Sequence, residues 1–390
     1  MKKNALTAMA LLAAASALNA EPSPRPPGAR KLDDVVIYDN PQFHCAFPSV
    51  IKRPDGELVL AFRRAPDRRA LGEARYTHTD PNAYLVMVHS SDSGRTWTKN
   101  PQLIYAHPFG GSQDPCLVQL SDNSIVCTSY AWAWASGELL GKLKQPVHVH
   151  NDSFVFLGGY LLKSFDGGTS WGQPITPPSC PGERYLDFLG NTLPTCNRGA
   201  MCEGSDGRLY WVVQHGVDNP SRVETLLMIS QDKGNTWKYS CPVAQDPKTT
   251  FSETSLYETP KGDLVAFLRT EDFNDRLCVA RSRDHGRSFE HWTDSGIQGH
   301  PSHAARLADG RVLLVYGYRH PPYGVRARVI DPECTDIAGS PEIILRADGG
   351  NEDLGYPWAL ALSPKRALVV YYFNQANGPR TIQGTFLEID

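Results

Sequence analysis

Apolar and polar positions along the chain fall into one recurring phrase: a short apolar run, a tight Gly/Asp/Asn turn, and a second apolar run. Phe47–Ile51 and Leu58–Phe62 flank Asp55-Gly56, and Cys116–Leu120 and Ile125–Ser129 flank Asp122-Asn123. Ala200–Glu203 and Leu209–Val213 flank Asp206-Gly207, and Ser255–Glu258 and Leu264–Leu268 enclose Gly262. Ala304–Leu307 and Val312–Tyr316 flank Asp309-Gly310. Ala359–Leu362 and Ala367–Tyr371 repeat the phrase around a looser turn at Ser363 to Lys365. No segment beyond the N-terminal region shows helical periodicity over a dozen residues. The phrase predicts an all-β chain.

A second motif is laid over the first. Ser90-Ser91-Asp92-Ser93-Gly94-Arg95-Thr96-Trp97 has the frame Ser-x-Asp-x-Gly-x-Ser/Thr-aromatic, and it returns at Ser164–Trp171, Ser230–Trp237 and Ser282–Phe289. The Asp can accept from turn N–H groups, the Gly takes a backbone shape other residues resist, and the aromatic ring anchors the clip on the sheet. A single active site has no use for four copies, so the clip is structural. Six phrases of about sixty residues, four of them followed by a clip, predict a six-bladed β-propeller of four-stranded antiparallel blades. Closing the ring removes exposed sheet edges, and Val35–Tyr38 can pair with the last strand, Thr381–Glu388, to lock it. A two-sheet sandwich accounts for neither the turn repeat nor the clip.

The N-terminus changes the picture of where the chain works. Lys2 and Lys3, an apolar run from Ala5 to Leu18 and the small Ala20 read as a secretory signal over residues 1–20. A Pro-rich linker over 21–32 and the propeller over 33–390 follow. The run is too short and alanine-rich for a membrane span, so a periplasmic or secreted protein without a span after signal removal is expected. Net charge is -3, which offers no basic field for nucleic acid. The chain holds nine Cys, an odd number, so at least one thiol stays unpaired within a monomer. Cys116 with Cys127, and Cys180 with Cys196, are the candidate pairs. No spacing suits a zinc site, and neither metal nor cofactor is expected.

Residues just ahead of the inner strands should converge at one mouth of the ring. These are His44 to Pro48, Gln113 and Asp114, Asn197 and Arg198, Glu253, His300 and His303, and Tyr356. Long insertions at Pro66–Pro81, Ala131–Asp152 and Pro177–Asn197 are of the length that usually carries function.

Four clips on six such phrases resemble the bacterial sialidase (neuraminidase) superfamily, over the chain from about Val35 to its end. The order of other residues is more specific. Glu253 opens an inner strand and Arg269 ends its hairpin, Arg326 lies in the third strand of the next unit, and Tyr356 opens the last inner strand. The resemblance implies Tyr356 as nucleophile, Glu253 as its base and Asp80, with Asp67 as the alternative, as general acid/base. Arg269 and Arg326 would hold a substrate carboxylate. A neutral Tyr nucleophile suits a sugar with a carboxylate on its anomeric carbon, which would repel an anionic one. The family's Arg-Ile-Pro is here Ala46-Phe47-Pro48, so one carboxylate-binding arginine is missing, and Arg63 or Arg64 at the end of that hairpin could replace it. Gln113, Asp114, Arg198, His300, His303 and Arg319 complete the expected substrate-binding set. The implied function is a retaining exo-α-sialidase-like glycosidase acting, as a monomer, on glycans with a terminal acidic sugar. Two alternatives stay open: a propeller glycosidase or lyase for a uronate-containing or other non-sialic sugar, and a glycan-binding propeller without catalysis.

Overall fold

A computed structural model describes residues 28–73, 79–216, 222–375 and 378–390. The expected signal, residues 1–20, and residues 21–27 of the linker lie outside them. Six four-stranded antiparallel sheets follow one another around a ring. Blade 1 runs Phe43–Lys52, Leu58–Pro66, Tyr84–Ser90, Gln102–Tyr105 from axis to rim, and blade 2 runs Gly111–Gln119, Ile125–Trp134, Phe154–Ser164, Val149–His150. Blade 3 is Cys202–Glu203, Leu209–Gly216, Val223–Ser230, Lys238–Ala244, and blade 4 is Phe251–Glu258, Leu264–Thr270, Arg276–Ser282, Thr293–Gln298. Blade 5 is Ser302–Arg306, Val312–Tyr318, Gly324–Ile330, Ile343–Arg346. Blade 6 joins Gly355–Ser363, Arg366–Phe373 and Thr381–Ile389 to the first strand of the chain, Ala29–Tyr38.

That N-terminal strand locks the ring as the sequence implies, but it starts ahead of Asp33. Ala29 already pairs with Ile389 and Arg30 with Glu388. Alternating apolar residues are sparse in Ala29–Leu32 because this strand is at the rim, where the ion pair of Arg30 with Glu388 replaces burial. The apolar faces of adjacent blades interdigitate, as where Leu60, Phe62 and Val88 of blade 1 pack with Leu368, Val370 and Tyr372 of blade 6.

The four clips share one frame, each directly after the third strand of blades 1–4, although Trp171 Nε1 makes no hydrogen bond in the second. In the first, the Ser90 hydroxyl donates to Asp92 Oδ1 (2.8 Å) and accepts from Gly94 N–H (2.8 Å). Thr96 donates from its N–H (2.9 Å) and hydroxyl (2.6 Å) to the same carboxylate, and Trp97 Nε1 donates to the Gly94 carbonyl (2.9 Å). These donors hold the Asp92, Asp166 and Asp284 carboxyls down at about 2, led in each case by the hydroxyl at the Thr/Ser position. Blade 5 carries a related turn without the Gly: Asp331 accepts from the N–H groups of Glu333, Thr335 and Asp336, and Cys334 takes the left-handed conformation (φ 55°).

All nine cysteines are free thiols. Cys116 pairs across its hairpin with Thr128 and Cys127 with Leu117, so the two sulfurs of the first expected pair project from opposite faces of blade 2. Cys180 Sγ lies 3.2 Å from Thr195 Oγ1 instead of bonding Cys196.

Candidate active site

Four inner strands break register at the same place, where an extra residue is inserted against the second strand. The breaks fall between Ala46 and Ser49, Gln113 and Cys116, Ser252 and Ser255, and Gly355 and Trp358. One residue in each bulge takes a positive φ: Phe47 (59°), Asp114 (41°), Glu253 (39°) and Tyr356 (49°). Three of them precede a proline, whose missing N–H suits a broken ladder. A non-glycine residue is strained there, and the strain is spent on aiming side chains from separate blades at the axis. Phe47 and Tyr356 meet edge to face at 4.8 Å between centroids, and Glu253 meets Tyr356.

The Tyr356 hydroxyl donates to Glu253 Oε1 at 2.7 Å. Arg269 bonds Glu253 Oε2 through Nη1, and the same nitrogen donates to Tyr356 Oη at 3.0 Å. Arg319 stands 5.0 Å over the Tyr356 ring on one side and Arg198 5.4 Å on another. Burial, then the Glu253 charge, pushes the Tyr356 phenol far above its ordinary value. Burial pushes Glu253 upward too, but the Arg269 charge and the Tyr356 hydrogen bond outweigh it and leave the carboxyl below its ordinary value. The pair is therefore a neutral phenol donating to a carboxylate.

Around this centre lie further buried groups. The Asp114 carboxyl accepts from Tyr130 Oη (2.8 Å) on Oδ2, while Oδ1 has no protein partner. Burial and the nearby Glu253 charge raise it to about 6. Gln113 is buried beside it with Nε2 unpartnered. Arg198 donates to Cys116 Sγ (2.9 Å) and the Pro48 carbonyl (3.0 Å), tying three blades together. Arg63 is the cross-strand partner of Ala46. Its guanidinium is wholly buried, with Nε and Nη2 unpartnered, and burial lowers it while Asp80 and Asp114 partly compensate. Successive strand residues face opposite ways, and Arg64 accordingly points outward to Tyr84 Oη (2.7 Å) and Tyr38 Oη (2.9 Å).

Other expected residues are engaged with neighbours of their own. Arg326 stacks 4.6 Å from the Tyr318 ring and donates to the carbonyls of Val325 and Pro322 (both 3.2 Å). It is the third residue of its strand, paired with Tyr316, and Arg319, in the turn beyond, is the guanidinium that joins Arg269. His303 stacks on Trp358 at 4.1 Å and accepts from Ala359 N–H at 3.2 Å. Burial, with Arg198 nearby, lowers its imidazole to about 3, so it is a neutral core residue. His300 lies 2.9 Å and His320 3.0 Å from the two oxygens of Asp275. Asp80 is buried and accepts from Arg68 on both oxygens (2.7 and 3.0 Å). Asp67, the alternative acid, is occupied by Arg69 and caps the turn Arg68–Leu71. Asn197 Nδ2 donates to the Thr254 carbonyl (2.8 Å).

The sequence reading overlooked Tyr130, Tyr372 and Asp353. Tyr372 donates to Asp353 (2.9 Å) and receives Arg319 Nη2 (3.3 Å), so it props the arginine over Tyr356. Asp353 lies just ahead of an inner strand, the same position in its blade that marks Tyr356.

A BNR repeat-like domain family model matches residues 147–330. A crystal structure of a protein of unknown function from Dyadobacter fermentans is 56% identical, with a TM-score of 0.91 over 93% of this chain and 100% of that one. In fold the chain is a sialidase-like BNR propeller. This BNR propeller also superposes on the Hadza microbial sialidase Hz136 (18% identity, TM-score 0.60, 87% of this chain and 65% of that one). It superposes likewise on Trypanosoma rangeli sialidase in complex with sialic acid (17%, 0.58, 92% and 57%). A third is the K499G mutant of NanB sialidase from Streptococcus pneumoniae (16%, 0.61, 91% and 70%). At such identities the likeness is one of fold, and the propeller spans 57–70% of those chains. No curated protein sequence matches it.

Proposed function

We propose that this propeller is an exported, monomeric, retaining exo-glycosidase that releases terminal acidic sugars of the sialic-acid type. The observation that carries the reading is the 2.7 Å bond from the buried Tyr356 hydroxyl to an ionised Glu253. A phenol held far above its ordinary pKa is a poor nucleophile alone, and a carboxylate positioned on its proton is the group that activates it. As Tyr356 Oη closes on the anomeric carbon its proton passes to Glu253 Oε1, and the leaving oxygen takes a proton from Asp80. Water then attacks the glycosyl-tyrosine with the same residues reversing roles. Both Asp80 oxygens accept from Arg68, so the acid step requires Asp80 first to take up a proton and release one of those bonds before it donates to the leaving oxygen. Arg269 and Arg319 hold the substrate carboxylate, and Arg63, reaching in from the strand opposite Ala46, supplies the third guanidinium. The step needs neither metal nor cofactor. Export rests on the basic, apolar and small-residue order of residues 1–20. Among the described residues no helix is long and apolar enough to cross a membrane.

The test is release of 4-methylumbelliferone from its α-sialoside, with proton NMR showing the α-anomer as first product. No release at high enzyme concentration refutes the sialic-acid reading. A rise in absorbance near 235 nm on a uronate polysaccharide would assign a lyase instead.

A further inference from the structure

Blades 4 and 5 each bring one guanidinium to Tyr356, Arg269 to its hydroxyl and Arg319 over its ring. The two charges oppose each other, so their convergence has to be held. Arg269 lies near the end of the second strand of blade 4 and is pinned by Glu253. Arg319 sits in a turn of blade 5. Its hydrogen bonds, two to the Leu354 carbonyl and one to Tyr372 Oη, are all at 3.3 Å. Bonds of that length restrain a buried charge weakly. The place of the Arg319 turn is set one residue further on.

His320 Nε2 lies 3.0 Å from Asp275 Oδ2, and His300 Nε2 lies 2.9 Å from Asp275 Oδ1. A carboxylate only accepts, so each of these nitrogens carries its proton. Both approaches are bent away from the ideal line. The His300 contact is nonetheless the leading cause that holds the Asp275 carboxyl below its ordinary value, and the acid is ionised. The backbone is shaped to match. Asn274 and Asp275 both take the left-handed conformation (φ 51° and 53°), which Asn and Asp tolerate better than most residues. The Asp275 carbonyl accepts from Gly299 N–H at 2.8 Å, and His300 N–H donates to the Gly317 carbonyl at 2.9 Å. One aspartate thus joins the hairpin of Arg269 to blade 5 on both sides of Arg319, through His300 to Gly317 and directly to His320.

We propose that Asp275 is a positioning residue that clasps His300 and His320 and so sets the spacing of the Arg269 and Arg319 guanidinium groups over Tyr356. That this pair reads a sugar carboxylate rests on the glycosidase reading; the clasp does not. It is tested on the full chain by calorimetric titration with free sialic acid and by crystal structures of the variants. Asp275→Ala and His320→Ala should each weaken binding at least about ten-fold, whereas His320→Gln, which keeps a donor, should stay within about three-fold of the parent. Because Asp275 acts through Arg319, adding Asp275→Ala to Arg319→Ala should cost no more than about a further two-fold. In Asp275→Ala crystals the Arg319 guanidinium should leave its place 5.0 Å over the Tyr356 ring. Additive losses, no rescue by His320→Gln, or an Arg319 that keeps its place overturns the proposal. A chain that binds no sialic acid, yet whose Arg319 moves when Asp275 is lost, refutes the glycosidase reading and leaves the clasp standing.

Discussion

Tyr356→Phe deletes one oxygen and leaves the ring in its contacts with Phe47 and the two guanidinium groups. The oxygen makes two hydrogen bonds, 2.7 Å to Glu253 and 3.0 Å from Arg269. Glu253 keeps its ion pair with Arg269, so no buried charge is stranded, and the fold should lose about 1–3 kcal/mol. Turnover should fall at least about a hundred-fold, equivalent to about 2.7 kcal/mol of transition-state stabilisation, because Glu253 no longer has a phenol to deprotonate. Substrate affinity should barely change, since the carboxylate-binding arginines are intact. Steady-state kinetics on the 4-methylumbelliferyl α-sialoside separate the two quantities, with urea unfolding run alongside. A kcat within about ten-fold of the parent, in a protein that unfolds at lower urea, would show that the hydroxyl is structural and would refute the mechanism.

Arg319→Ala should raise KM at least about ten-fold, the cost of a charge-assisted contact, whereas Arg326→Ala should lower thermal stability and leave KM unchanged. Kinetics on both variants decide which arginine reads the carboxylate. Arg63→Met should act in opposite directions. Burial already disfavours the Arg63 charge, so the melting temperature should hold or rise, while affinity for free sialic acid by calorimetry should fall at least about ten-fold. Asp92→Asn tests the clip. A carboxyl lowered from 3.8 to about 2 by folding contributes stability present above pH 4 and lost as pH falls through 2. The variant should therefore melt below the parent at pH 7, and the gap should close near pH 2, with kcat at neutral pH unaffected.

Tertiary placement bears on the rival uses of the central polar groups. A non-catalytic glycan binder has no need of a phenol donating to a carboxylate beneath two guanidinium groups. A lyase would need a free base near the substrate carboxylate; of the imidazoles ahead of the inner strands, His300 lies 2.9 Å from Asp275, His303 accepts from the Ala359 backbone and His44 lies 3.6 Å from Asp353.

Blade number and the clip were legible in the sequence because each is local: an apolar alternation around a turn, and eight residues that satisfy one another; the closing strand, which joins the two ends of the chain, followed from the need to leave no open sheet edge. The Glu253, Arg269 and Tyr356 positions were legible too, since each occupies a fixed place relative to a blade start. Which neighbours they meet was not. A single step of strand register sends Arg63 to the axis and Arg64 to Tyr84, and no composition or spacing distinguishes two adjacent arginines. Arg326 and Arg319 differ in the same way, one facing its own blade and the other reaching over Tyr356 from a turn propped by Tyr372. The bulges that aim four side chains inward arise from pairing between strands, and the clasp of Asp275 on His300 and His320 from turns of two blades that meet only in the folded ring. The repeating pattern determined the scaffold through short-range hydrogen bonding and alternation; the site was decided by closure of the ring, which brings all six blades to one axis.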